Sequence, residues 1–215
     1  MSINDITVME DINAENDRIA ESIHGDLQAK GIYTVNMIGA PGAGKTSSLI
    51  HIIEGLQCVK CYVVEGDIQS DIDTDKLNAL GIEAVQLHTG GACHIDGSLL
   101  ENTLPRLSLA QAGMLFIENI GNLVCPAEFS IGEDTKLLIV TVTDGADKPY
   151  KYPLAFEKAG AILLNKSDLL PYVDFDMDYF MKGIRALNPS APVFQVSAKS
   201  GEGFPEVIQW LKAKL

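Results

Sequence analysis

The sequence predicts an α/β fold in which a mostly parallel sheet is flanked by helices on both faces, giving three layers. Several short runs are almost continuously apolar, as strands buried on both faces are. Most of these runs are separated by segments long enough to hold a helix, which is typical of parallel strands joined by helical crossovers. The strand candidates are residues 33–38, 61–64, 84–87, 114–117, 137–142, 161–164 and 193–196.

The N-terminal part of the chain is predicted to be helical. Ile19, Ile23 and Leu27 recur at the spacing of one helix face. We therefore expect an N-terminal helical segment over residues 1–30, followed by the α/β unit of sheet, helices and binding loops over residues 31–215, in a single domain overall. Nearer the C-terminus, the acidic residues of 174–178 favour a helix start, because carboxylates are stabilised at the positive end of the helix dipole.

The composition excludes several classes of partner. The formal net charge is −13, so a nucleic acid or an anionic membrane would be repelled, whereas cations would be attracted. No apolar run is long enough to span a membrane, and residues 1–16 are too polar for a signal peptide, so we expect a cytoplasmic protein. Four cysteines are too few for a disulfide framework in 215 residues, which leaves free thiols or metal ligands.

A complete G-x-x-x-x-G-K-T sequence follows the first predicted strand and precedes a predicted helix over residues 46–56. In such a phosphate-binding loop (P-loop), backbone N–H groups wrap a phosphate, the lysine reaches the β- and γ-phosphates, and the last hydroxyl binds Mg²⁺. We therefore expect a P-loop NTPase fold; the alternative is a flexible glycine-rich turn. The candidate nucleotide-binding residues of this loop are Gly39, Ala40, Pro41, Gly42, Ala43, Gly44, Lys45, Thr46 and Ser47.

A second loop is predicted to select the base. An N-K-x-D sequence directly follows the predicted strand over 161–164. Its carboxylate can accept hydrogen bonds from N1–H and the 2-amino group of guanine, whereas adenine has no donor at either position, so GTP should bind better than ATP. The candidate base-binding residues are Asn165, Lys166 and Asp168, with Ser197, Ala198 and Lys199 of a loop that resembles the S-A-K loop of GTPases.

Acidic residues follow two further strands. Asp67 comes shortly after the second predicted strand, and Glu118 directly follows the fourth, where small GTPases keep the Asp of D-x-x-G. Both should lie at the P-loop edge of the sheet, where Mg²⁺ and an attacking water need oxygen ligands. Lys45, Asp67 and Asp71 are therefore the candidate catalytic residues. For Asp71 the alternative is that it only solvates a loop, together with the aspartates that follow it.

Three soft metal donors are predicted near the same edge. Cys93 and His94 lie just beyond the third predicted strand, and Cys125 lies seven residues after Glu118. Two thiolates and an imidazole suit Ni²⁺ or Zn²⁺, but a closed structural zinc site needs four ligands. A twofold dimer would supply the missing ligands if both copies presented their donors across the axis. The alternative is a buried thiol beside a hydrogen-bonded imidazole, with no metal.

The chain from about residue 14 to the C-terminus resembles the nickel-insertion GTPases of hydrogenase maturation (HypB), which belong to the dimer-forming, signal-recognition-like class of P-loop GTPases. The most specific matches are T-G-G-A-C-H-I-D at 89–96, E-N-I-G-N-L-V-C-P-A-E-F at 118–129 and D-K-P-Y-K-Y-P at 147–153.

This resemblance implies hydrolysis of GTP to GDP and phosphate, coupled to delivery of nickel to a [NiFe]-hydrogenase large-subunit precursor with the help of a nickel-binding accessory protein. It also implies a homodimer that forms when GTP is bound. The implied ligands are Cys93, His94 and Cys125 for Ni²⁺ or Zn²⁺ at the dimer interface, and Thr46, Asp67 and Glu118 for Mg²⁺.

The segment between Glu118 and Cys125 is short, and it connects the phosphate edge to the metal donors. We hypothesise that contacts of the γ-phosphate with residues 118–121 move Cys125 relative to Cys93 and His94. Hydrolysis would then change the affinity for the metal, because γ-phosphate contacts commonly control the order of such loops.

The resemblance to HypB proteins is less complete in the N-terminal segment, and it leaves two interpretations for the apolar residues after N-K-x-D and for two lysines. Some relatives carry a Cys-rich or His-rich nickel-binding N-terminus, but residues 1–27 hold no cysteine and one histidine, so we expect no separate nickel store. Leu169 and Val173 match apolar dimer contacts of the family; alternatively they pack under their own loop. Lys148 and Lys151 either reach nucleotide across the dimer or are solvated.

Two rival functions stay open. A urease-type nickel GTPase is expected to carry a Cys-Pro-His triplet where Ala92-Cys93-His94 stands, which disfavours it. A GTP-switched interaction module would use the same three donors for a structural zinc. Cys58 and Cys61 form a C-x-x-C sequence, but Cys61 begins a predicted strand and not a helix, so ordinary packing is favoured over a redox role.

Overall fold

A single parallel sheet organises the protein. The structure, a computed structural model, describes residues 3–66, 77 and 81–215. Within these ranges the strands follow the order β3-β2-β4-β1-β5-β6-β7, and every neighbouring pair is parallel. The strands are β1 (Ile32–Gly39), β2 (Lys60–Glu65), β3 (Glu83–Gln86), β4 (Gly113–Glu118), β5 (Thr135–Thr141), β6 (Ala161–Asn165) and β7 (Val193–Gln195). The predicted α/β class is confirmed, and each apolar run forms a strand.

Helices occupy most of the connections between the strands. The described helices are α1 (Ile3–Ala29), α2 (Lys45–Gly55), α3 (Gly97–Thr103), α4 (Cys125–Glu128), α5 (Lys148–Lys151), α6 (Pro153–Glu157), α7 (Met177–Leu187) and α8 (Phe204–Lys212), with 3-10 turns at Leu104–Arg106, Val142–Asp144 and Ser167–Tyr172. The predicted acidic helix start is observed at α7, where Asp176 accepts a hydrogen bond from the Tyr179 amide. Of the described helices, none is long and apolar enough to cross a membrane.

The sheet is buried on both faces, as its continuous apolar strands require. Val35 and Met37 of β1 point to the face that α2 and α8 cover, where they join one large apolar cluster. The opposite face carries two apolar clusters. One packs under α1 and α3, and the other packs under α6 and α7.

The order of the strands creates a crevice at the P-loop. β1 lies between β4 and β5, so the connections from β1 and from β4 leave the sheet on opposite sides. Ligands of α/β folds bind where such connections diverge, beyond the carboxyl ends of the strands. The carboxyl ends of β1 and β4 carry the P-loop and Glu118, which places both at this crevice.

A buried asparagine links the end of α7 to the end of α6. Asn188 ends α7, and its side-chain amide donates to the carbonyls of Phe156, Glu157 and Ala159 at 3.0, 3.1 and 2.8 Å. We expect Asn188→Ala to lower the free energy of unfolding by about 2–3 kcal/mol, because buried carbonyls would lose their donor. Urea denaturation followed by circular dichroism measures this change.

The matched control is Asn102→Ala on α3, where an exposed asparagine donates to its own helix at the Ser98 carbonyl. We expect that variant to change the free energy of unfolding by less than about 0.5 kcal/mol. Equal losses in the two variants would show that the buried Asn188 contacts contribute nothing specific.

Candidate functional site

The P-loop forms a cradle at the end of β1. Gly42 and Gly44 have positive φ angles of 74° and 87°, which glycine adopts without strain. A Cβ at Gly44 would lie 2.5 Å from the Asn165 amide nitrogen, so a side chain there would displace that residue. Lys45 begins α2 and is buried. A cavity of about 460 Å³ lies over the loop, bounded on its other side by residues 118–121.

Hydroxyl and carboxylate groups meet at the phosphate end of this cavity. Thr46 Oγ1 donates to Glu118 Oε1 at 2.9 Å, so the last P-loop residue and the end of β4 are in direct contact. Oxygen ligands of these types are what Mg²⁺ requires, and the pair therefore fits a metal beside the β- and γ-phosphates. Glu65, which sequence reasoning did not select, is buried at the end of β2 and is the register partner of Glu118. Asp67 and Asp71 lie outside the described residues.

A second cavity, of about 510 Å³, continues from Gly42, Gly44 and Ser47 towards the base-binding loops. Five of the six predicted base-binding residues line it, namely Asn165, Lys166, Asp168, Ala198 and Lys199. Asn165 holds three loops together. Its Nδ2 donates to the Ala43 carbonyl at 2.8 Å, and its Oδ1 accepts from the Ala198 amide at 3.0 Å. The structure therefore brings the P-loop, the N-K-x-D loop and the S-A-K loop into one site.

The Asp168 carboxylate is oriented by the neighbouring loop. Ser197 is buried, and its Oγ donates to Asp168 Oδ1 at 2.7 Å. Lys166 adopts a left-handed conformation with a φ of 59°, which turns the chain between β6 and Asp168. A carboxylate held in this way is ready to accept hydrogen bonds from a base that offers two donors along one edge.

The three soft donors converge. The ligand atoms of Cys93, His94 and Cys125 all lie within 4.8 Å of one another. Cys93 Sγ donates to Cys125 Sγ at 3.1 Å and lies 3.4 Å from His94 Nδ1. Two sulfurs and one imidazole nitrogen at these separations fit a single Ni²⁺ or Zn²⁺ ion.

The protonation states of these donors suit metal exchange. The hydrogen bond shared with Cys125 raises the pKa of Cys93 above its ordinary value, and slight desolvation of this exposed thiol adds to the rise. Burial lowers the pKa of His94, so its imidazole is neutral near pH 7 and can act as a ligand. Metal binding therefore has to release a proton from the thiol pair, and affinity should rise with pH.

Two aromatic and amide contacts, which sequence reasoning missed, hold the donors in place. The His94 ring stacks on Phe129 with centroids 4.4 Å apart and planes 12° from parallel. Asn122 Nδ2 donates to the Cys93 carbonyl at 3.2 Å. Cys125 is the first residue of α4 and Phe129 follows its last, so this short helix contributes one donor and supports a second.

The metal donors and the phosphate cavity share one segment of chain. Asn119, directly after Glu118, uses its Oδ1 to accept from the amides of Ile95 and Ile120 at 3.1 and 2.9 Å. Asn122 forms an antiparallel bridge with Gly39, the first residue of the P-loop. Residues 118–125 therefore contact the nucleotide cavity at one end and the metal donors at the other.

The predicted dimer contacts have partners within their own chain. Leu169 and Val173 are half-buried and pack against the apolar cluster under α6 and α7. Lys151 forms an ion pair with Asp147 at 2.6 Å, and Lys148 lies over the ring of Tyr152 at 5.2 Å. These observations are consistent with the alternatives of packing under the loop and of local surface contacts.

The C-x-x-C pair has an unequal environment. Cys58 is exposed in a turn, whereas Cys61 is buried on β2 and its burial raises the pKa of the thiol to about 11. Because the thiolate is the reactive form, we expect Cys58 to react with iodoacetamide at pH 8 at least about a hundredfold faster than Cys61. Peptide mass spectrometry over time measures both rates. Equal rates, or a disulfide between the two under mild oxidation, would contradict ordinary packing of Cys61.

Comparison with known proteins agrees with this geometry. Residues 33–195 match the family described as "CobW/HypB/UreG, nucleotide-binding domain". The chain is 44% identical to the hydrogenase maturation factor HypB of Azotobacter vinelandii over 208 aligned residues. The aligned region covers 96% of this chain and 69% of that protein. It is 33% identical to the hydrogenase/urease maturation factor HypB of Helicobacter pylori over 218 aligned residues. That aligned region covers 100% of this chain and 90% of that protein.

Solved structures give the same relationship. The chain matches HypB from Helicobacter pylori in complex with nickel with a TM-score of 0.88 at 33% identity, over 93% of this chain and 94% of that one. It matches HypB from Archaeoglobus fulgidus with a TM-score of 0.87 at 35% identity, over 93% and 98% of the two chains. The fold, the arrangement of the P-loop and donor cluster, and these comparisons together show that the chain belongs to the CobW/HypB/UreG family and, within it, to the HypB hydrogenase maturation factors.

Proposed function

We propose that this protein is a GTPase that couples hydrolysis of GTP to delivery of nickel during maturation of a [NiFe] hydrogenase. The observation that carries the proposal is the shared segment 118–125, which joins the Thr46–Glu118 contact to the cluster of Cys93, His94 and Cys125. The names of the HypB relatives, and the nickel complex of the Helicobacter pylori protein, support the same function.

The base site supports GTP as the nucleotide. Asp168 presents a carboxylate that Ser197 orients, and guanine offers two donors to it, N1–H and the 2-amino group, whereas adenine has no donor at those positions. The amide of Ala198, held by Asn165, lies beside the same cavity. Burying the carboxylate against adenine would leave its base-facing acceptor positions without donors, so we expect strong discrimination against ATP.

In the proposed hydrolysis, the protein acts mainly by positioning and by charge. Lys45 would contact the β- and γ-phosphates, and Thr46 and Glu118 would hold Mg²⁺, which stabilises negative charge on the phosphate oxygens. Asp67 and Asp71 remain our proposed water-positioning residues, with Asp67 as a further Mg²⁺ ligand. Both follow β2, whose end lies beside Glu118.

The metal in this proposal is cargo, held by Cys93, His94 and Cys125. Cys93 is exposed and the other two donors are half-buried, so the ion would be open to exchange. Three protein ligands leave a coordination position for a ligand from a second copy of the chain or from a recipient. Zn²⁺ suits the same donors, and a structural zinc in a GTP-switched module is the alternative.

A role in urease maturation is a second candidate, because two similar Helicobacter proteins are named hydrogenase/urease maturation factors. The proposed partners are a nickel-binding accessory protein and the large-subunit precursor that receives nickel. We also propose a homodimer in the GTP state. Leu169 and Val173 would then leave their present packing to form the contact, and Lys148 or Lys151 would approach the partner's nucleotide.

The test is nickel transfer to a purified large-subunit precursor, with phosphate release measured in the same samples. We expect transfer with GTP, slower transfer with GDP, and no acceleration by ATP. Sedimentation with each nucleotide tests the dimer. Transfer that is independent of nucleotide, in a protein that unfolds when zinc is removed, would favour the structural-zinc alternative.

A further inference from the structure

A lysine is buried beneath the helix that carries Cys125. Lys136 is the second residue of β5, and its side chain is 10% exposed. Its Nζ donates to the carbonyls of Pro126 and Phe129 at 3.0 and 2.6 Å. Its charge is balanced by Glu133, whose Oε1 lies 2.5 Å from Nζ and whose side chain is 4% exposed.

The two carbonyls belong to the region that forms the metal site. α4 is only four residues long, and a helix of that length is not stable by itself. Pro126 directly follows Cys125, and Phe129 supports the His94 ring. A cation that holds both carbonyls therefore fixes the distance and orientation between one thiol and the imidazole.

The Lys136–Glu133 ion pair is also connected, through two asparagines, to the segment that carries Cys93 and His94. Asn36 of β1 is the register partner of Lys136, and its Nδ2 donates to Glu133 Oε1 at 3.3 Å. Asn119 Nδ2 donates to Asn36 Oδ1 at 3.1 Å, while Asn119 Oδ1 holds the amide of Ile95, the residue after His94. One buried chain of polar groups thus contacts both segments that supply metal donors.

The location of these buried polar groups argues against a role in stability alone. It lies on the face of the sheet that also carries the two apolar clusters, and Asn36 and Asn119 are 0% and 1% exposed. Apolar residues of similar volume commonly replace a buried ion pair with no loss of stability. Such residues would not, however, hold the carbonyl groups of a short helix in a fixed place.

We propose that Lys136 is a positioning residue of the metal site, and that its ion pair with Glu133, extended by Asn36 and Asn119, sets the geometry of the three donors. The inference rests on the proposed role of Cys93, His94 and Cys125 as metal ligands. Groups that orient metal ligands without touching the metal commonly change affinity by about 10- to 100-fold when they are removed.

The test compares Lys136→Met with the double variant Lys136→Met/Glu133→Gln in the full chain. The single variant leaves Glu133 buried without its cation, so we expect a lower melting temperature. The double variant removes both charges, and the amide oxygen introduced at position 133 would still accept from the Ile131 amide that Glu133 Oε2 binds at 2.7 Å. We expect its melting temperature to recover towards that of the original protein.

The decisive readouts are the dissociation constant for Ni²⁺, measured by chelator competition, and the nickel–thiolate charge-transfer absorbance. We expect about 10- to 100-fold weaker nickel binding and a shifted absorbance in both variants, with affinity for GDP within about twofold of the original. The matched control is Thr34→Val, on the same strand and face as Asn36, which should bind nickel like the original protein. Thr34 is buried, and its hydroxyl has no hydrogen-bond partner among the residues described.

A purely structural role predicts that nickel affinity recovers together with the melting temperature in the double variant, and that result would overturn the inference. Cys93→Ser, measured in the same assay, separates this outcome from failure of the proposed function. If Cys93→Ser binds nickel as the original protein does, the assigned ligands are wrong and the inference falls with them. If Cys93→Ser loses nickel while the Lys136 variants keep it, only the positioning role is wrong.

Discussion

Replacing Asp168 with asparagine is expected to weaken GTP binding by at least about a hundredfold, the largest effect we predict at the nucleotide site. The carboxylate would lose one acceptor, and the new NH₂ group would face a donor on guanine. Each charge-assisted hydrogen bond contributes about 1.5–3 kcal/mol, and a buried donor left without an acceptor adds a further cost. Fluorescence titration with labelled GTP and GDP measures the change.

The chemistry of the base provides an internal check. Xanthosine triphosphate has a carbonyl where guanine has its 2-amino group, so it should bind Asp168→Asn better than GTP does. Asp174→Asn is the matched control, because Asp174 is exposed just beyond the same loop. Equal affinity of the original protein for ATP and GTP, or unchanged GTP binding by Asp168→Asn, would remove the basis for guanine selection.

At the proposed metal site, Cys93→Ser and Cys125→Ser are each expected to weaken nickel binding by at least about a hundredfold. A hydroxyl is a hard and weakly acidic donor, so it cannot replace a thiolate towards Ni²⁺. The loss should be at least as large as the roughly 10- to 100-fold effects known for groups that only orient ligands. Chelator competition gives the affinity, and the charge-transfer band should disappear with it.

Cys58→Ser is the matched control for these variants, because Cys58 is exposed and lies outside the donor cluster. It should bind nickel like the original protein. If the three serine variants behaved alike, the convergence of Cys93, His94 and Cys125 would have no role in binding this metal. GDP affinity, measured alongside, should stay within about twofold in all three, because these thiols do not line the P-loop cavity.

Features of the fold that depend on local sequence could be predicted. The apolar runs predicted the strands, and the P-loop was recognisable because its strand, glycines and helix are contiguous. The convergence of Cys93 with Cys125, 32 positions apart, was also predictable. Both follow strands of a parallel sheet, and the carboxyl ends of such strands share one edge.

Contacts that depend on register and on packing between distant segments could not be predicted. Lys136 lies within an apolar strand, and nothing near it in sequence shows that its side chain reaches the carbonyls of α4. The stack of Phe129 on His94 and the three loops joined by Asn165 also depend on segments far apart in sequence. Asn119 had a weak signal, because it directly follows the acidic end of β4.

The packing of Leu169 shows how a resemblance can leave a residue's role open. The resemblance to HypB proteins predicts that Leu169 contacts a second copy in a dimer. In the single chain, its side chain is half-buried against the apolar cluster under α6 and α7. Both roles are compatible if dimer formation moves the 3-10 turn Ser167–Tyr172. With a GTP analogue bound, Leu169→Asp should therefore lower the fraction of protein that sediments as a dimer. The affinity of the monomer for GDP should change little.

Coupling between the nucleotide and the metal donors is tested most directly by the affinity and stoichiometry of nickel binding. Both are measured first with GDP and then with a non-hydrolysable GTP analogue. Residues 118–125 touch both sites, so the nucleotide state should change the nickel dissociation constant by about 5- to 150-fold, the usual range for coupled sites. The same affinity and the same number of bound ions in both states would contradict coupling between the γ-phosphate and the donor cluster.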